Sequence, residues 1–214
     1  MVNVLVIVVT CLEHKRVIKT LPSFGKWSFC RPMKRLVLVL PILAVLAGVG
    51  MVGCGVLSKE HRAMHSASHI AVWLKNCSRI SWLPRQMSGR YDGASALDNI
   101  KQVSAGHAAK RSSYGSAPGG YVWLKPRMLR AMKSLARDGY SFRVTSMAGA
   151  SHSRTSRHYA GIAFDVDYIN GLKVGYGNPY WRKFLQRCRE LGATETLGPG
   201  DRGHSTHIHA AWPR

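Results

Sequence analysis

Two stretches near the C-terminus decide the reading of this chain: Ser156-Arg157-His158-Tyr159-Ala160-Gly161-Ile162-Ala163-Phe164-Asp165 and His204-Ser205-Thr206-His207-Ile208-His209. In the first, Ile162, Phe164 and Val166 alternate with Ala163, Asp165 and Asp167. A period of two is that of a strand, so the two carboxylates share one face. Gly161 lets the chain turn between His158 and that strand. The closing stretch alternates again, with His207, His209 and Ala211 on one face and Ile208, Ala210 and Trp212 on the other. Five of the ten histidines fall between His152 and His209. Two imidazole nitrogens and one carboxylate oxygen, at about 2.0–2.2 Å from an ion, make a three-ligand zinc site with one position left for water, the pattern of a catalytic zinc.

Outward from these stretches the pattern is that of a small α+β domain. Leu124, Met128, Leu129, Met132, Leu135 and Ala136 recur with helical period, with Pro126 in the first turn and Gly139 as the stop, which predicts a helix from about Leu124 to Arg137. Phe142 and Val144 alternate with polar neighbours as a strand. A second helix opens at Asn178-Pro179, carries the stripe Trp181, Phe184, Leu185, Cys188 and Leu191, and closes at Gly192. The expected fold is a small antiparallel sheet with flanking helices holding the zinc site, over residues 121–214.

The rest of the chain is less patterned. Residues 1–32 read as an upstream extension, and Met33 as a plausible start. Residues 33–57 combine Met33-Lys34-Arg35 with the uncharged run Leu36 to Leu57, a signal peptide or membrane anchor. The end of the run, Met51-Val52-Gly53-Cys54, resembles a bacterial lipoprotein signal in which Cys54 would carry the lipid. Cleaved lipoprotein and uncleaved anchor helix both place the remainder of the chain in the periplasm or otherwise outside the cytoplasmic membrane. Residues 58–120 read as a basic, partly disordered linker rich in Ser, Gly and Ala, with a short helix around Ile70 to Leu74. His61, His65 and His69 stand at i, i+4, i+8 without an HExxH glutamate, a solvated helix face. Cys11, Cys30, Cys54, Cys77 and Cys188 are odd in number and form no CxxC and no zinc-finger spacing, so neither a disulfide framework nor a cysteine-built metal site is indicated. The formal charge of +21 favours a polyanionic setting. Nucleic acid, anionic lipid and anionic wall polymers all qualify, and nucleic acid ranks last because no recognisable DNA- or RNA-binding motif accompanies the charge.

The residues SRHYAGIAFD, 156–165, resemble the SxHxxGxAxD signature of zinc D-Ala-D-Ala peptidases, and HIH, 207–209, resembles the closing HxH of the larger group that also holds lysostaphin-type endopeptidases and the amino-terminal domain of hedgehog proteins. The resemblance covers Tyr121 to Arg214. It implies one zinc ion held by His158, Asp165 and His209, the second histidine of HxH. It also implies hydrolysis of D-amino-acid peptide bonds in the peptidoglycan stem peptide, by a D,D-carboxypeptidase or a cross-link endopeptidase. HSTHIH, 204–209, is further similar to the HxxHxH of penicillin-insensitive murein endopeptidases, which gives His204 and His207 roles beside the metal or in catalysis.

Two departures from the family pattern carry consequences. The glutamate base that many relatives place shortly before the last ligand is missing between Asp201 and Ile208, which leaves His204 or His207 for proton transfer. The arginine after a TSG-like turn is missing beyond Thr145-Ser146, which leaves Arg154 or Arg157 to bind a substrate carboxylate. The missing glutamate also keeps open a second reading, a catalytically inactive, zinc-containing wall-binding module. His152 reads as a satisfied half-buried polar residue, Asp167 as an ion-pair or loop-ordering residue, Ser156 as a cap of the turn before His158, and Cys188 as core.

Overall fold

The computed structural model describes residue 60 and residues 62–214, all of which fall in one compact unit. The upstream extension, the signal or anchor segment with Cys54, and His61 lie outside the described residues. Among the described residues no helix is long and apolar enough to cross a membrane.

A helix over residues 62–76 (α1) leads into β1 (Ile80–Trp82), followed by α2 (Ala96–Ser104), β2 (Ala109–Lys110), β3 (Tyr121–Val122) and α3 (Pro126–Arg137). Then come β4 (Phe142–Ser146), a 3₁₀ turn (Arg157–Ala160), β5 (Ala163–Ile169), β6 (Leu172–Lys173), α4 (Trp181–Glu190), β7 (Glu195–Leu197) and β8 (Ile208–Ala211). The main sheet runs β1-β4-β5-β8-β7, with β6 paired to the end of β5, and β2 and β3 form a separate ribbon. The fold is α+β as expected, but the sheet is mixed: β1 pairs with β4 in parallel. The long crossover from β1 to β4, which includes α2 and α3, is what permits a parallel neighbour.

The alternation read from the sequence sorts the sheet into two faces. Phe164 stands opposite Ala210 and Val166 opposite Ile208, on the same side as Phe142 and Val144, and all six are buried. Helix α3 contributes Met128, Leu129, Met132 and Leu135 to this core, and α4 contributes Phe184, Leu185 and Cys188. Phe184 meets the rings of Tyr140 and Phe142 edge-on at 5.2 and 5.3 Å. The other face of β5 and β8 carries Asp165 opposite His209.

Residues 62–120, expected to be a linker, belong to the same core. Ala67, Ala71, Leu74, Ile80, Ala96, Ile100, Val103 and Ala109 are buried within it. Ser95 and Asp98 form a reciprocal capping box at the start of α2. The Ser, Gly and Ala content that reads as a linker here serves close packing of backbone on backbone. The clearest case is Gly149, in the loop after β4, where an added Cβ would meet the Ala94 carbonyl oxygen at 1.9 Å. Asn178 also differs from expectation: α4 begins at Trp181, while the Asn178 side chain accepts from Tyr180 N at 2.8 Å and donates to Leu172 O at 3.0 Å, tying the β6 hairpin to the start of the helix.

This packing has two testable consequences. A truncated chain beginning at Gly119 removes α1, β1, α2 and β2 from the core, so it should lose the cooperative thermal transition of the full chain; a sharp transition retained would show the first half to be dispensable. Gly161 has φ +68°, and a Cβ there would come within 2.5 Å of the Trp123 carbonyl oxygen. Gly161→Ala should therefore destabilise the protein by about 2–4 kcal/mol in chemical denaturation.

Candidate metal centre

His158 enters the site from the 3₁₀ turn, whose first turn is capped by Ser156 Oγ accepting from His158 N at 3.3 Å. Gly161, in the left-handed conformation, ends that turn and starts β5. Asp165 lies on the middle of β5, and the antiparallel register sets His209 of β8 directly beside it. All three side chains are buried, at 1%, 5% and 6% exposure for His158, Asp165 and His209.

Their reactive atoms converge. His158 Nε2 lies 3.2 Å from Asp165 Oδ1 and 3.1 Å from His209 Nδ1, and His209 Nδ1 lies 2.8 Å from Asp165 Oδ1. Both rings are fixed from behind. His158 Nδ1–H donates to the Met147 carbonyl at 2.7 Å, which leaves Nε2 with a lone pair. His209 Nε2–H donates to Glu195 Oε1 at 3.1 Å, which leaves Nδ1 with a lone pair. Three lone pairs this close repel one another unless a proton or a metal cation lies among them. Ligands bound at about 2.0–2.2 Å to a common ion stand about 3–3.5 Å apart, so the donor set fits a divalent cation.

With protons in place of a metal, the three groups are strongly coupled to one another. Burial alone would raise the Asp165 pKa, but the His158 and His209 imidazoles outweigh it and hold the carboxyl well below its usual range. Burial alone would lower His209, but the Asp165 and Glu195 carboxylates raise it.

His152 also belongs here, contrary to its reading as a satisfied bystander. His152, His158 and Asp165 form a group that could hold a metal ion, with ligand atoms within 4.8 Å of one another. The His152 ring stacks on His158 at 3.9 Å, and its Nε2–H faces Ser146 Oγ at 3.2 Å and the Gly149 carbonyl at 3.1 Å. Burial first, and the neighbouring His158 second, push its pKa down to about 4, so the imidazole is neutral at neutral pH. The loop that carries it is clamped by residues from the first half of the chain: Ala148 N donates to Asn99 Oδ1 at 2.9 Å, and Ala150 N to Ser112 Oγ at 2.8 Å.

The remaining expected residues divide. The rings of His204 and His207 lie 4.8 Å apart, and His204 is 6.1 Å from the ring of His209, so both imidazoles border the centre. His204 Nδ1–H donates to Arg202 O at 2.9 Å, which turns the other nitrogen into the free acceptor. His207 is half-buried, and burial lowers its pKa. Arg157 lies at the site but is engaged, with Glu195 at 3.2 Å, Thr194 Oγ1 at 2.7 Å and Trp212 O at 3.2 Å. Arg154 is exposed and lines neither of the clefts at the centre. Asp167 forms a two-point ion pair with Arg143, at 2.8 and 2.5 Å, and is not among the converging donors.

Glu195 is the functional residue that the sequence reading missed. It lies on β7, two positions from Leu197, which pairs with His209, so its side chain reaches the histidine diagonally across the strands. The signal was present in Thr194-Glu195-Thr196-Leu197 before Gly198-Pro199-Gly200, an alternating run bounded by a turn.

Comparisons of the chain with models of protein families, with curated proteins and with solved structures found no match.

Glu195 fixes the His209 ring from outside the converging donors, so for a metal bound there Glu195→Ala should weaken affinity by about 10–100-fold. Glu195→Gln, which keeps an acceptor, should lose less. Competition with a chromophoric chelator measures both, and unchanged affinity in the alanine variant would remove Glu195 from the centre.

Proposed function

We propose that the chain is a zinc-dependent peptidase that hydrolyses D-amino-acid peptide bonds in peptidoglycan stem peptides, with His158, Asp165 and His209 holding one zinc ion. The observation that carries this reading is the convergence of three buried lone-pair donors, two of them imidazoles whose outer nitrogens are tied to Met147 O and Glu195. The residue types and open surroundings suit a catalytic rather than a structural zinc. The substrate class rests on the resemblance of residues 156–165 and 204–209 to D-Ala-D-Ala peptidases and murein endopeptidases.

Zinc in such a site supplies Lewis acidity and a bound water of lowered pKa. The chain's own residues do the rest. Glu195 holds the His209 ring in one orientation and tautomer, and Met147 O does the same for His158. His204 and His207, side by side at the edge of the centre, take the proton-transfer work that glutamate performs in relatives, receiving a proton from the attacking water and delivering it to the leaving amine. The surplus of positive charge holds the enzyme near an anionic wall, and the N-terminal apolar segment or a lipid on Cys54 would keep it outside the cytoplasmic membrane.

Ligand and proton-transfer roles separate experimentally. His158→Ala and His209→Ala should lose both zinc and muropeptide cleavage. His204→Ala and His207→Ala should keep zinc, and at least one of them should lose about 10²–10⁴-fold in rate. Zinc analysis with mass spectrometry of digested muropeptides reads both effects. Full zinc retention in both ligand variants would refute the centre, and wild-type rates in both proton-transfer variants would refute the imidazole role. A protein that binds zinc and wall but cleaves nothing would be the inactive wall-binding module.

A further inference from the structure

We infer that the outer face of α1 and α3 is a docking surface for anionic phospholipid, which seats the domain on a membrane with its metal centre turned away. Four cations, Arg127, Arg130, Lys133 and Arg137, follow one another along α3 at intervals of three and four residues. At about 100° per residue they fall within an arc of about 120°. The three arginines are exposed, and Lys133 is half-buried. Like charges at this spacing destabilise a helix, and Lys125 and Arg127 at its start oppose the helix dipole as well. No carboxylate occurs between Asp98 and Asp138. Among the described residues none of these five cations takes part in an ion pair, and Asp138 is held by Arg187 at 2.7 Å. The stripe works against the fold, and a polyanion outside the chain relieves it.

Two features choose a lipid surface over a polymer of phosphates. The half-buried indole of Trp73 on α1 lies under Lys133 at 4.9 Å and Arg137 at 5.9 Å, so an aromatic ring sits among the cations, as at a membrane–water interface. At the other end of α3, a cleft of about 210 Å³ against α1 is lined by Met64, Trp123, Leu124 and Pro126 beside Lys125, with Glu60 also bordering it. A lipid surface offers phosphate and apolar matter together, whereas a wall polymer of phosphates offers charge alone. The placement suits this partner. Helix α3 packs on the apolar face of β5 and β8, the far side from Asp165 and His209, so docking leaves the clefts at the centre open. In the sequence, the uncharged run of residues 36–57 ends only a few residues before α1. An anchor there, apolar helix or lipidated Cys54, would bring α1 to the membrane first.

The test places the full chain on vesicles of phosphatidylcholine, with and without phosphatidylglycerol, and follows acylation of each lysine by a water-soluble amine reagent with mass spectrometry. The apolar run attaches the chain to both kinds of vesicle, so only docking of the domain differs between them. With phosphatidylglycerol, Lys125 and Lys133 should react several-fold more slowly, and added salt should restore their rates. Lys173, in a cleft at the metal centre, should react alike on both. Arg127→Gln/Arg130→Gln/Arg137→Gln removes three charges at about fivefold each, so docking should weaken by about 10²-fold and the protection should vanish. Arg85→Gln/Arg154→Gln/Arg202→Gln, which changes three exposed arginines elsewhere, should keep it. Equal rates on both vesicles overturn the inference, as does protection of Lys173 as strong as that of Lys133, or protection that survives in the α3 variant. Protection by soluble poly(glycerol phosphate) or DNA, but not by phosphatidylglycerol, also overturns it and assigns the face to that polymer.

Discussion

A carboxylate buried in the middle of a sheet has to be met by positive charge, and Asp165 sets that constraint on the whole site. It lies on β5, the strand that pairs with β4, β6 and β8, so its neighbours are fixed by register. Two imidazoles face it within 3.2 Å, each with its far nitrogen already committed to another acceptor. Removal of charge from water is repaid only when every remaining polar atom is satisfied. An ion among the three donors satisfies all of them at once. The apolar face of the same strands, packed on α3 and α4, provides the rigid backing that holds the donor atoms at 2.8–3.2 Å from one another.

The centre is assembled from parts distant in sequence. Its loop after β4 is held by Asn99 and Ser112, and Gly149 approaches the backbone at Ala94 so closely that no side chain fits. The first half of the described residues therefore positions His152 and Met147, and with them the ring of His158. Lys133 over the ring of Trp73, at 4.9 Å, joins α3 to α1 in the same way on the opposite side. What looks like an appendage in composition is part of the scaffold.

The legible parts of the sequence were those with strong local periodicity. The alternation around Asp165 and around His209 gave the two strands and their faces, and the stripes of α3 and α4 gave their helices to within a few residues. Asp165, His158 and His209 could be named because spacing and resemblance agreed. Less legible were short strands whose pairing is decided by distant partners: three residues of β1 and three of β7 carry little periodic signal. Glu195 was missed with β7. Small residues misled in a different way, since Ala94, Ala96 and Ala109 are buried and Gly149 leaves no room for a side chain against the Ala94 backbone, and composition alone cannot distinguish that from a linker. The role of His152 depends on a stacking contact across a folded loop that no local pattern encodes.

X-ray absorption at the zinc edge, on purified protein with metal content measured in parallel, tests the central claim most directly. The account predicts one zinc per chain, with two imidazoles and oxygen donors at about 2.0–2.2 Å. Absence of stoichiometric zinc, or a sulfur shell at about 2.3 Å, would contradict it.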